Sequence, residues 1–118
     1  MLSLSKRDKS YLSVARYLAA KSNERMMHGA IVVKSGRVVG MGYNKTKNKP
    51  SNVSEEHIKA HCSRHAEAEA IRDAYFNVKG AVIYVARVNR RGEDRDSKPC
   101  IRCQALILET GFKRLVYT

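Results

Sequence analysis

His65-Ala66-Glu67 is answered thirty-odd positions later by Pro99-Cys100-Ile101-Arg102-Cys103, and this pair of motifs constrains the fold more than any other feature of the chain. One imidazole and two thiolates make a three-ligand zinc site with a fourth position left for water, which is what separates a catalytic zinc from a structural one. His65, Cys100 and Cys103 are the candidate ligands. Glu67 then stands beside that water as an acid/base.

The spacing carries its own physical reasons. Cys100 and Cys103 stand three apart, which on a helix puts both sulfurs on one face, one turn apart. Pro99 suits the first position of that helix, because it lacks the amide hydrogen that would go unpaired there, and the positive helix end favours thiolate over thiol. His65 opens a second run, through Arg72, whose alanines and charged residues favour helix and permit close packing. Two helix N-termini facing each other could cradle one zinc.

Plainer readings compete with this one. Cys-x-x-Cys alone could be a redox pair, and His-x-Glu alone carries no meaning; their joint occurrence with Pro99 favours metal. The main rival is a structural zinc completed by Cys62, three residues before His65, and the spacing leaves that alternative open. His57 and His61, four apart and adjoining Cys62, raise the further question of a second metal site, against which stands the ordinary role of such histidines as surface residues.

At 118 residues the chain has the size of one domain, residues 1–118, with a single core. No apolar stretch approaches the length of a membrane span, and Met1 to Arg7 lacks the charged-then-apolar order of a signal peptide. Three cysteines, two of them assigned to metal, fit a reducing compartment better than a disulfide framework. The expectation is a cytoplasmic protein without membrane contact.

Charge is the second informative feature. Lys plus Arg number 23 against 11 Asp plus Glu, a net +12, and such a field attracts polyanions while saying nothing of fold. Lys34, Arg37, Lys45, Lys47 and Lys49 fall in a stretch without acids, and Arg87, Arg90, Arg91, Arg95 and Lys98 lie just before the zinc cysteines. A solvated face is the usual explanation of such runs. Because these flank the candidate site, attraction of phosphate is weighed equally with it.

Periodicity supplies the elements. Apolar residues from Tyr11 to Ala19 recur at helical spacing, which predicts an amphipathic helix over 6–21 with Ser5 as N-cap and Asp8 three residues on. β-branched runs over 30–34 and 37–43, joined by Ser35-Gly36, predict a hairpin. A polar segment over 44–63 reads as loop with one short helix. A helix over 65–76, a strand over 81–88, a helix over 100–109 closed by Gly111, and a strand over 114–117 complete the chain. This alternation implies a mixed sheet with its later strands parallel, helices on its faces, and the ligands beyond the strands' carboxyl ends.

Gly29 to Val33, Gly42-Tyr43-Asn44, His65-Ala66-Glu67 with Ala70-Ile71, Gly80 to Val85, the cysteine motif, and Gly111 to Tyr117 together resemble the cytidine deaminase superfamily over nearly the whole chain. His-x-Glu followed by Pro-Cys-x-x-Cys is similar to the signature of the zinc-dependent base deaminases. A histidine ligand resembles the deoxycytidylate and tRNA-adenosine branch, and Gly-Tyr-Asn with the closing Gly-Phe-Lys-Arg-Leu-Val-Tyr resembles the deoxycytidylate deaminases most. The likeness implies a three-layer α-β-α fold around a mixed central sheet of about four strands with helices on both faces. It implies hydrolytic deamination of a cytosine nucleotide, dCMP to dUMP, by zinc-activated water attacking C4 with Glu67 as proton shuttle. It also implies that Asn44 contacts the substrate's sugar or base, that Ala66 offers backbone to the base, and that the protein is a homo-oligomer.

Two other functions stay open. A deaminase of single-stranded DNA or RNA, acting on cytosine or adenine, would use the basic loops as its groove, although no aromatic ladder is visible beside them. A non-enzymatic, nucleic-acid-binding zinc module would require Glu67 to be idle. The chain departs from its relatives where Asn89 to Lys98 intervenes before the cysteines and Lys98 takes the place of a glutamate. Arg90, Arg91 and Arg95 in that segment, beside Glu93, Asp94 and Asp96, could hold a 5′-phosphate, grip a strand, or be solvated.

Overall fold

The structure is a computed structural model that describes residues 4–23, 26–46, 63–75, 77–98 and 101–118. Helix α1, Lys6–Ala19, starts at a capping box: Ser5 Oγ accepts from the Asp8 amide at 3.0 Å while the Asp8 carboxylate accepts from the Ser5 amide at 3.4 Å. Leu12, Ala15, Leu18 and Ala19 form its buried stripe.

Strands β1, Met27–Lys34, and β2, Arg37–Tyr43, pair antiparallel. Their turn residues Ser35 and Gly36 have φ of 52° and 76°, the two positive values of a type I′ turn, whose twist suits a hairpin. Two-residue strands β3, Lys45–Thr46, and β4, Ser63–Arg64, form a small separate ribbon within the segment expected to be loop. Helix α2, Ala66–Asp73, follows, then strand β5, Val82–Val88, and strand β6, Asp94–Arg95. Helix α3, Ile101–Thr110, and strand β7, Arg114–Tyr117, end the described chain, with Gly111 at φ 83° closing α3 as expected.

β1 lies between β2 and β5 and is antiparallel to both, while the far edge of β5 carries parallel β7 along Val82–Val85 and antiparallel β6 at Arg87 and Val88. Among the described residues the sheet thus has five strands, one more than the sequence announces. The extra strand, β6, comes from the segment between Asn89 and Lys98. Asn89 builds a turn there, its Oδ1 accepting from the Arg91 and Glu93 amides at 2.9 Å each, and Gly92 at φ 81° sends the chain back.

Alternation along β1 and β5 divides the core into two layers. Ala30, Val32, Ile83 and Val85 pack with Ala66, Ala70 and Ile71 of α2 and Ile107 of α3. Ile31, Val33 and Tyr84 pack with Leu12 and Leu18 of α1 on the other side. The result is a three-layer α-β-α sandwich, and β1, covered on both faces, is buried without a break from Gly29 to Val33. Gly42 sets how closely α2 lies on β2: a Cβ there would stand 2.7 Å from both the Ala66 carbonyl and the Ala70 amide nitrogen. Among the described residues no helix is long and apolar enough to cross a membrane.

Candidate active site

The backbone turns into α2 at His65, which occupies the N-cap in extended conformation and makes no side-chain capping bond. Its imidazole instead reaches α3. Nδ1 lies 3.5 Å from Cys103 Sγ, across 38 residues of sequence. Within the first turn of α2, Glu67 is 4 % exposed, and ligand atoms of His65, Glu67 and Cys103 all lie within 4.8 Å of one another.

The donor set fits zinc. Tetrahedral bonds of about 2.3 Å to sulfur and about 2.0 Å to nitrogen place the two donors about 3.5 Å apart, the separation found between Cys103 and His65. Cys100, the third expected ligand, and Pro99 lie outside the described residues, as do His57, His61 and Cys62 of the second-site reading. Ser97 anchors the approach to the cysteines. It is buried, its Oγ donates to the Val85 carbonyl at 2.9 Å and accepts from the Thr118 amide at 2.9 Å, and its own amide donates to the Thr118 carbonyl at 3.1 Å.

Ala66 is buried as the first residue of α2, where a backbone amide has no acceptor within its own helix. Asn44 follows the end of β2 and turns its side chain onto the backbone that opens β1. Its Oδ1 accepts from the His28 amide at 2.8 Å and its Nδ2 donates to the Met26 carbonyl at 2.5 Å, while Ser22 Oγ donates to the Asn44 carbonyl at 2.8 Å. The Asn44 side chain therefore shapes the start of β1. Glu69 forms a 3.9 Å ion pair with Arg72 within α2.

His28 belongs to the site and was missed by the sequence reading, which began β1 at Ala30. In phase with Ala30 and Val32, it faces the α2 layer. Burial pushes its imidazole below the usual histidine range, Glu67 opposes that shift, and the charges of Arg87 and His65 add to it. The period-two alternation of the strand, carried one step further back, is the signal that would have found it.

Imidazole, thiol and a buried carboxylate converging at a helix N-terminus over an open α/β sheet define a zinc hydrolase. From residue 5 to residue 118 the sequence matches the family described as the cytidine and deoxycytidylate deaminase zinc-binding region, and the chain belongs to that family of deaminases. It is 32% identical over 128 residues to the deoxycytidylate deaminase of Mycobacterium phage D29, covering 93% of this chain and 92% of that protein. It is 31% identical over 119 residues to the riboflavin biosynthesis protein RibD of Aquifex aeolicus, covering 92% of this chain but 27% of that protein. The crystal structure of the dCMP deaminase from cyanophage S-TIM5 in apo form superposes with a TM-score of 0.73 at 24% identity, covering 98% of this chain and 84% of that one. That likeness carries the fold: the three-layer sandwich is the cytidine deaminase-like fold.

Proposed function

We propose that this protein hydrolyses the amino group of cytosine in a nucleoside monophosphate, converting dCMP to dUMP, with Glu67 as the proton carrier. The observation that carries this reading is the buried carboxylate of Glu67 held within 4.8 Å of the His65 and Cys103 donors. Two relatives support the substrate: the phage D29 protein, named a deoxycytidylate deaminase and matched over 92% of its length, and the cyanophage S-TIM5 dCMP deaminase, a second structure of which holds dCMP and dUMP.

Zinc on His65, Cys103 and Cys100 would supply the Lewis acidity that brings a water's pKa near neutrality. The chain's own part is proton traffic and placement. Glu67 takes one proton from the attacking water and passes it to ring N3, then takes the second from the hydroxyl now on C4 and delivers it to the departing amine, so that cytosine and water give uracil and ammonia. A carboxylate can do this only while it stays off the metal. Burial in the first turn of α2 keeps competing bulk water from Glu67, and in this reading the Ala66 amide donates to the base.

The test is ammonia release by the zinc-loaded protein from dCMP, deoxycytidine, a cytosine-containing single-stranded oligonucleotide and its adenine counterpart, with Glu67→Ala as control. Turnover of dCMP that the control lacks is the expected result. Turnover of an oligonucleotide alone would replace the nucleotide reading with a polynucleotide one, and silence on all four with zinc bound would return the site to a structural role.

A further inference from the structure

Cross-strand register lines up four side chains beside the candidate site. The Asn44 amide donates to the His28 carbonyl at 3.2 Å and its Oδ1 accepts from the His28 amide at 2.8 Å; His28 stands opposite Arg87, and Arg87 stands opposite Arg95. Directly opposed residues share one face of a sheet, and Arg87, in phase with Ile83 and Val85, is on the face that carries α2 and Glu67. The register thus sets two arginines at directly opposed positions of that face, Arg87 near enough to His28 to act on its charge, as Glu67 does.

Like charges directly opposite each other are unfavourable, and among the described residues no ion pair offsets this one. Arg87 Nη1 donates to the Asp96 carbonyl at 3.5 Å and Arg95 Nη1 to the Asp94 carbonyl at 3.1 Å; among the described residues neither has a carboxylate partner. The acids of the same hairpin are engaged elsewhere. Asp94 binds Arg16 at 2.7 and 3.0 Å, Glu93 accepts from Asn89 Nδ2 at 3.0 Å, and Asp96 accepts from the Lys98 amide at 3.0 Å. The backbones beneath the two arginines are clamped, since Thr118 Oγ1 accepts from the Arg87 amide at 3.2 Å and donates to the Arg95 carbonyl at 2.8 Å. A repulsive pair held at fixed spacing is a receptor for a compact anion.

We propose that Arg87 and Arg95 bind the phosphate of the nucleotide substrate, with His28 lining the path between that phosphate and Glu67. This rests on the deaminase reading above and names the feature that selects a nucleotide over a nucleoside. From β1 to β6 is two strand spacings, about 10 Å, comparable to the reach from the amino-bearing carbon of cytosine to the phosphorus of its monophosphate. A single terminal phosphate suits the row better than a continuous strand, because Glu93, Asp94 and Asp96 flank it and confine the positive field. His28, held below the usual histidine range mainly by burial, adds a hydrogen-bonding edge to the row.

The experiment compares the zinc-loaded protein with Arg87→Gln, Arg95→Gln and the double variant. Steady-state kinetics are measured on dCMP, deoxycytidine and a single-stranded oligonucleotide, and dUMP and deoxyuridine binding is measured by calorimetry on the same proteins. Each single substitution is expected to lower kcat/KM for dCMP and affinity for dUMP by about tenfold or more, and to leave deoxycytidine and deoxyuridine within about twofold, as loss of one charge-assisted contact requires. The melting temperature is expected to hold or rise as the repulsion is relieved, which separates this outcome from misfolding. Equal losses on nucleotide and nucleoside, or a wild-type protein indifferent to the phosphate, would overturn the subsite while leaving the deaminase intact. Preference for the oligonucleotide, weakened by these variants, would reassign the pair to an internal phosphate and overturn the monophosphate proposal. If no substrate turns over, the binding arm decides: dUMP bound no better than deoxyuridine overturns the subsite, and dUMP bound better, with loss in the variants, supports it while the deaminase reading fails.

Discussion

The hydroxyl of Tyr84 donates to the buried carboxylate of Asp8 at 2.6 Å, tying the centre of β5 to the first turn of α1 across 76 residues of sequence. That bond, followed by those from Arg114 at 3.1 and 3.5 Å and from the Ser5 amide, holds the Asp8 carboxyl at about 2, below its ordinary 3.8. A carboxyl depressed by folding stabilises the fold in full above its unfolded value, and that contribution is lost as pH falls toward the folded one. Asp8 therefore adds an acid-labile increment over the window from about 3.8 down to about 2. Tyr84→Phe removes its strongest support, and the expected loss is about 1.5–3 kcal/mol at neutral pH, as for a hydrogen bond to a charged group. Urea midpoints at neutral pH and through that acid window check it: the variant should lose less stability than the parent on acidification, and parallel pH profiles would refute the assignment.

What was legible in the sequence follows from how local each signal is. The α1 capping box, the Ser35-Gly36 turn, the Gly111 stop and strand β7 depend on residues a few positions apart, and the fold has them where the pattern puts them. The convergence of His65 with Cys103 was legible because metal chemistry names its ligands even when they stand 38 residues apart. β6 was hidden because Asp94-Arg95 has no strand propensity of its own and pairs only because the Asn89 turn folds it onto β5. The row from Asn44 to Arg95 was hidden for a related reason. Register between strands is a tertiary property, and no spacing along the chain shows that Arg87 faces His28 or that Asn44 spends its amide on the backbone of β1.

Gly42 positions the helix that carries His65 and Glu67. An added Cβ would meet the Ala66 carbonyl and the Ala70 amide at 2.7 Å, so Gly42→Ala must lift the first turns of α2 from the sheet. Overpacking of this kind costs about 1–3 kcal/mol. Thermal melts should show the loss, and because the lifted segment includes His65, zinc affinity should fall with it. A melting temperature and zinc content matching the parent would mean that α2 is not seated by this contact.

Glu67→Gln separates proton transfer from metal binding. The amide keeps the size and much of the hydrogen bonding of the side chain but cannot carry a proton, so kcat should fall by about 10²–10⁴-fold, the usual worth of general acid/base catalysis. Zinc content and melting temperature should stay near those of the parent, because the proposed ligands are His65, Cys100 and Cys103. Zinc lost together with activity would make Glu67 a ligand, and turnover retained would assign the proton to another group.

Zinc removal should loosen the molecule between its second and third helices. His65 at the start of α2 and Cys103 in α3 come within 3.5 Å, and Ala66 and Ala70 of α2 share one core cluster with Ile107 of α3. An ion bound by the folded state alone stabilises it by about 2.7 kcal/mol at a hundredfold excess over its dissociation constant. For a chain of this size that raises the melting temperature by roughly 10 °C. Melting with zinc and again with a chelator should show that difference in the parent and abolish it in His65→Ala, whose chelated form should melt with the chelated parent because His65 lies outside the buried core. Identical melting of zinc-loaded and chelated parent would show that neither helix is held by metal, whatever the activity assay reports.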